Sequence, residues 1–373
     1  MKRLALLFFA ALSFASFADM AAGADDTSDA LASIDTKIAE TKGFGGAVLI
    51  EVKGRLILSR GYGFADRENK IPFTPDTIAQ IGSITKSMTA LAILTLAREG
   101  KIDLEKSVKT YLPGAADPAG SATLHQLLTH HAGLIDACGE DEESVSVDDL
   151  QHKCMARPLA WPPGTDHYSN MGYSILAAVV ERVSGESWET YLREHIWQPL
   201  GMTRTGFARF DAVAPRDFAI GYLNDKSQGV ITTRIAALQG SDWNLHGNGG
   251  IEASTLDMER YYRGLSGRRP GIPSDIAAQM TTPNMPMGGE AWEGLGLFVR
   301  LDAKNRPYRI GFSGSDGTFF SYFGWLPQQD VFIYVVGNNG EANVKPVVAT
   351  VLHAALKIAG ITPDMLQKPE AQK

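Results

Sequence analysis

The sequence predicts an α/β fold of the α+β kind, in which an antiparallel sheet from both chain ends is flanked by helices and interrupted by an inserted, mostly helical lobe. Three observations predict it. Short runs rich in branched and aromatic residues lie near the two ends, at 46–63 and 294–336, and hairpin-length turns separate them. Residues 83–284 instead carry apolar side chains at helical spacing, punctuated by glycine and proline. After the last strand, a run at 344–358 puts Val347, Val348, Val351, Leu352, Ala355 and Leu356 on one helical face, fit to cover the sheet.

Taken in order, Met1-Lys2-Arg3 and the apolar run Leu4–Phe17 resemble a secretory leader over 1–24, with small-residue cleavage positions at Ala18 and Ala24. Residues 27–42 suit an amphipathic helix with Leu31, Ile34, Ile38 and Ala39 inward. Residues 46–53 and 55–63 form a hairpin turning at Gly54, and a turn at 73–77 delivers the chain to a helix that begins near Ser83. Helices are expected at 103–111, at 124–134 with Gly133 as its stop, at 172–183, at 188–197 capped by Ser187, and from Ser254 to Leu265. Strands at 294–301, 308–313, 318–325 and 331–336 close the sheet. The expected organisation is one catalytic unit, 25–360, with a sheet lobe (25–82 and 285–360), a helical lobe (83–284) and a tail at 361–373.

Hydrophobic residues make up 44% of the 373, enough for a large core, and the formal charge is −7. Loss of Lys2, Arg3 and Asp19 with the leader would make it −8, which argues against a nucleic-acid partner. No later stretch is apolar enough to span a membrane, so the mature chain is expected to be periplasmic or secreted. In that oxidising setting Cys138 and Cys154 are expected to pair, enclosing an acidic loop. No cofactor or metal is called for. His130 and His131 are adjacent and read as helix-end or packing residues, and no His-Glu-x-x-His is present.

The chemistry concentrates at Gln80–Gly100. Ser83 and Lys86 are three apart where a helical pattern begins, so one turn puts both on one face, a nucleophile beside a base. Burial at a helix start would lower the lysine pKa. Tyr168 and Asn170, spaced i, i+2, can point into one cleft, the phenol to relay a proton and the amide to orient a neighbour. Tyr222-Leu223-Asn224 repeats the pattern, so spacing alone does not choose between them.

Six segments together resemble the serine β-lactamase and penicillin-binding-protein superfamily. They are Ser83-Ile-Thr-Lys86, Leu127-Leu-Thr-His-His-Ala-Gly-Leu134, Pro163-Gly-Thr165, Tyr168-Ser-Asn170, Pro199-Leu-Gly-Met202 and Gly249-Gly-Ile-Glu-Ala-Ser-Thr-Leu-Asp257. Within it they are similar to the branch of class C β-lactamases, D-Ala-D-Ala carboxypeptidases and β-lactamase-like esterases. The 85-residue gap from Ser83 to Tyr168 is also similar to that branch and favours Tyr168 over Tyr222. The resemblance implies a β-lactamase/transpeptidase-like fold and an acyl-enzyme on Ser83, with Lys86 and Tyr168 sharing the base work and Asn170 holding Lys86 and substrate. It also implies a third motif at Phe312-Ser313-Gly314 and an oxyanion hole from the N–H groups of Ser83 and Ser315.

Phe312 departs from that pattern, which has a basic residue there. Phenylalanine cannot bind a substrate carboxylate, so the expected substrates are small neutral esters or amides rather than β-lactams or cell-wall D-Ala-D-Ala peptides. Arg309 is expected on the opposite strand face. Two other classes compete. Gly311-Phe-Ser-Gly-Ser315 nearly matches the nucleophile elbow of α/β-hydrolases but lacks the final glycine and the chain length to follow it. A non-catalytic penicillin-binding-like sensor would also fit Phe312, although the intact Ser83, Lys86, Tyr168 and Asn170 weigh against it.

Overall fold

A computed structural model describes residues 15–361, with side chains from Thr27 onward. The leader expected at 1–24 therefore lies outside the described residues except for helical backbone at 15–24, and of the tail only residue 361 is described.

Eight strands form the main sheet: Gly46–Val52 (β1), Arg55–Tyr62 (β2), Met285–Gly288 (β3), Ala291–Glu293 (β4), Phe298–Leu301 (β5), Pro307–Ser315 (β6), Phe320–Leu326 (β7) and Val331–Gly337 (β8). Their order is β3-β4-β5-β6-β7-β8-β1-β2 and every neighbouring pair is antiparallel. The two chain ends meet where β1 pairs with β8, from Gly46 opposite Gly337 to Val52 opposite Val331. The sheet expected from the sequence is thus present, extended by β3 and β4.

Both β1 and β8 are buried at all seven positions because each face of the sheet is covered. Val48, Ile50 and Val52 pack with Ile333 and Val335 under the helices Ala15–Glu40 (α1) and Glu341–Ile358 (α5). Ala47, Leu49, Phe332, Tyr334 and Val336 face the helical middle, whose centre is the helix Thr85–Arg98 (α2). Strands covered on both faces read as continuous apolar runs, as these do. In α1 the inward residues are Ala30, Ile34 and Ile38, whereas Ala39, expected inward, is exposed.

Ser187 caps its helix through the Thr190 N–H, and Ser254 caps the helix Thr255–Leu265 (α4) through that of Asp257. Two expected helices are shorter: 103–111 is helical only at Val108–Tyr111, and 124–134 only at Leu124–Leu128. In the second, His130 takes a left-handed conformation at φ 57°, which ends the helix before Gly133 and turns its ring inward. Cys138 and Cys154 form the expected disulfide. No helix among the described residues is long and apolar enough to cross a membrane.

Candidate active site

Ser83 lies in a single 3-10 turn, Gly82–Ile84, that runs directly into α2. The turn is fixed from three sides. The Ile81 N–H donates to Ile251 O at 2.9 Å, Ser321 Oγ donates to Ile81 O at 2.7 Å, and the Ile251 N–H donates to Thr85 Oγ1 at 3.3 Å. Strand β6 presses on the same turn through glycine. A Cβ on Gly314 would stand 2.0 Å from Ile81 O and 2.6 Å from the Ser83 nitrogen, and one on Gly82 (φ +53°) would stand 2.6 Å from the Ser315 nitrogen. Only backbone without side chains lets the amides of Ser83 and Ser315 come together here.

One turn along α2, Lys86 is fully buried, and its Nζ donates to Ser83 Oγ at 3.0 Å, to Asn170 Oδ1 at 2.7 Å and to Asn248 O at 2.7 Å. Burial disfavours the ammonium and pulls its pKa down to about 7, against the nearby charges of Asp136 and Asp141, which favour it. Tyr168 Oη donates to the same Ser83 Oγ at 2.8 Å, and its ring lies 4.8 Å from Lys86 Nζ. Burial pushes the Tyr168 phenol well above its ordinary range, so it stays protonated at neutral pH.

Tyr168 and Asn170 reach one cleft because Ser169 between them turns away. Ser169 is the buried N-cap of the helix Asn170–Ser184 (α3): it accepts the Gly172 N–H and donates to Ile135 O at 2.7 Å. The other Tyr-x-Asn stands elsewhere: Tyr222 bonds Glu68 and the Arg67 N–H, and Asn224 is exposed.

Several supporting groups carried no signal in the sequence. Asp136 Oδ1 accepts the N–H of Asn170 at 3.1 Å and its side-chain amide at 3.0 Å, which turns the Asn170 oxygen toward Lys86. The Asn248 carbonyl is backbone and has no residue signature. His130, read as a packing residue, packs against the Tyr168 ring at 4.4 Å between ring centres with the planes tilted by 31°, and its Nδ1 accepts the Ser169 N–H at 3.1 Å. Burial holds its pKa well below the usual histidine value, so it supports Tyr168 as a neutral ring.

Phe312 is 4% exposed and stacks on Phe298 at 4.5 Å between ring centres. With Met287, Phe298, Arg309, Ser313 and Tyr322 it lines a cavity of about 280 Å³ along β6. Arg309 pairs with Arg300 and Phe312 with Phe323 with no bulge between them, so Arg309 lies on the other face of β6, as expected, although both residues border this cavity; no ion-pair partner for Arg309 is found among the described residues.

A serine, a lysine and a tyrosine converging at this place in the fold point to a class, and sequence comparison agrees. The Beta-lactamase family profile matches residues 32–356, and the chain belongs to that family. PbpX of Bacillus subtilis (strain 168) is 33% identical over 259 residues, 69% of this chain and 62% of its own length. Protein flp of Staphylococcus aureus is 34% identical over 209 residues, 52% of this chain and 42% of its own. The chain thus spans about two fifths to three fifths of these relatives. Among solved structures, the octameric penicillin-binding protein homologue from Pyrococcus abyssi superposes with a TM-score of 0.75 at 27% identity, covering 91% of this chain and 79% of that one. A class C β-lactamase from Rhodobacter sphaeroides gives 0.73 at 23% identity, covering 88% and 98%, a likeness of fold.

Proposed function

We propose that the protein is a serine hydrolase that works through an acyl-enzyme on Ser83, with small esters or amides lacking a carboxylate as substrates. The observation that carries this reading is the convergence of Lys86 Nζ and Tyr168 Oη on Ser83 Oγ, at 3.0 and 2.8 Å. A lysine with its pKa near 7 is largely neutral in slightly alkaline water, and its freed lone pair lies along the line to Ser83 Oγ. Lys86 takes the Ser83 proton as Ser83 attacks the carbonyl carbon. The Ser83 and Ser315 N–H groups hold the oxyanion, a contribution of about 3 kcal/mol per donor. Tyr168, a neutral phenol, gives its proton to the leaving group and takes back the one that Lys86 received from Ser83, so both groups regain their starting states; Lys86 and Tyr168 then draw a proton from water as it attacks the acyl ester and return one to Ser83 Oγ. Asn170 and Asp136 keep Lys86 in place.

Phe312 supports the substrate class, because it puts an aromatic wall where a cation would hold a carboxylate. Export to the periplasm or medium is part of the same reading, supported by the leader-like 1–24 segment and the Cys138–Cys154 disulfide. Arg309 favours a second reading: its charge in the Phe312 cavity could hold the carboxylate of a β-lactam or D-Ala-D-Ala peptide. Comparing kcat/KM on a phenyl ester, a cephalosporin and a D-Ala-D-Ala peptide separates the two. The first reading requires the ester to lead by orders of magnitude, and efficient turnover of either carboxylate substrate would replace it with the second.

A further inference from the structure

Glu293 ends β4 and is 2% exposed, yet no hydrogen bond or ion pair to its carboxyl is found among the described residues. Its position ties it to the site on two sides. Its cross-strand partner is Phe298, which stacks on Phe312. The chain just beyond it lies on α2, where a Cβ on Gly296 would stand 2.4 Å from Ala90 Cβ and 3.4 Å from Lys86 O. When ionised, Glu293 also acts on the Tyr168 and Tyr173 phenols, raising the pKa of both.

A buried carboxyl without a partner is costly, and burial followed by the like charge of Asp166 pushes its pKa up to about 9. Lys86 offers it no counter-charge, being committed to Ser83, Asn170 and Asn248. The remaining charges acting on Lys86 and Tyr168, those of Asp136 and Asp141, are also negative. A substrate ammonium entering this field would let Glu293 ionise against it and would satisfy an otherwise orphaned group. A substrate carboxylate would be repelled by Asp136 and Asp141 and would hold Glu293 in its protonated form, with no ion pair gained.

We propose that Glu293 is a specificity-determining residue of the Ser83 site and that the preferred substrates are esters or amides bearing a protonated amine. This inference rests on Ser83 being the nucleophile and adds a charge requirement to that reading.

The test uses phenyl esters of alanine, propionate and hemisuccinate, which are cationic, neutral and anionic at pH 7, with wild type, Glu293→Gln, Glu293→Met and Ser83→Ala. Wild type should favour the alanine ester over the propionate ester in kcat/KM, relative to their uncatalysed rates, by about tenfold or more. Glu293→Gln should erase most of that ratio, and raised salt should lower the wild-type rate on the alanine ester more than on the propionate ester. The salt comparison needs no variant, and a salt effect no greater on the alanine ester than on the propionate ester overturns the proposal even if both Glu293 variants misfold. Equal wild-type ratios, a ratio unchanged in Glu293→Gln and Glu293→Met, or a preference for the hemisuccinate, which would point to Arg309, would each overturn the proposal. Ser83→Ala separates the two levels: if it keeps full activity on all three esters, the nucleophile assignment fails, whereas loss on all three leaves that assignment standing whatever the ratios show.

Discussion

Gly314 and Ser83 touch through backbone alone: a Cβ added to Gly314 would stand 2.6 Å from the Ser83 nitrogen. Real Cβ atoms do not come so near, so any side chain at 314 must push β6 off the nucleophile turn. That would separate the Ser83 and Ser315 amides proposed to form the oxyanion hole.

Gly314→Ala should therefore lower kcat by about a hundredfold or more, the usual loss on removing an oxyanion donor. Steady-state kinetics beside a melting curve checks this. A correctly folded Gly314→Ala enzyme with ordinary kcat would show that β6 does not form the hole.

The pH profile follows from Lys86. Because the base must be unprotonated, kcat/KM should rise as pH increases through about 7, where burial has placed this lysine. Asp136 opposes that lowering, so Asp136→Asn should move the rise to lower pH. It should also reduce kcat by about tenfold, because Asn170 exchanges a charged acceptor for the weaker neutral amide oxygen and is oriented less firmly. A merely structural Asp136 would change stability and leave the midpoint of the profile in place.

His246 provides a stability test away from the cleft. It is buried between Asp242 and Glu181, at 3.4 Å from each, and stacks on Trp243. Burial opposes its charge, but Asp242 and then Glu181 outweigh burial and raise its pKa to about 9. A histidine whose folded pKa lies above its unfolded value of about 6.5 stabilises fully below that value and loses the contribution as pH rises through about 9. Chemical denaturation from pH 6 to 9.5 should show stability falling across this window in wild type and a flatter curve in His246→Gln.

The Cys138–Cys154 bridge closes a sequence separation of 16 residues. Its removal in Cys138→Ala/Cys154→Ala should cost about 3 kcal/mol by the loop-entropy argument. Urea unfolding of oxidised wild type and the double variant measures it, and equal midpoints would contradict the expectation.

The parts of this protein that were legible in its sequence are the locally encoded ones. Ser83 and Lys86 sit one helical turn apart in an apolar pattern, and the strand runs at both ends announce the sheet. Groups brought in by tertiary contact were not legible. Asp136 lies 34 residues from Asn170, and the Asn248 carbonyl that receives Lys86 is 162 residues away. The 124–134 helix was overextended because His130 leaves helical geometry to pack beside Tyr168, a long-range demand that outweighs local propensity. Strands β3 and β4 were missed because Met285-Pro-Met-Gly288 and Ala291-Trp-Glu293 hold no branched residue and form only by adding to an existing edge.

The central claim is a covalent acyl-enzyme on Ser83, and intact-mass spectrometry after exposure to a fluorophosphonate and, separately, to an activated ester tests it most directly. Wild type should gain one fluorophosphonate adduct, mapped by peptide digestion to Ser83, and should form and clear an acyl adduct from the ester. Ser83→Ala should gain neither. An ester adduct that never clears would mark a sensor rather than an enzyme, and an adduct on another residue, or full turnover by Ser83→Ala, would contradict the claim.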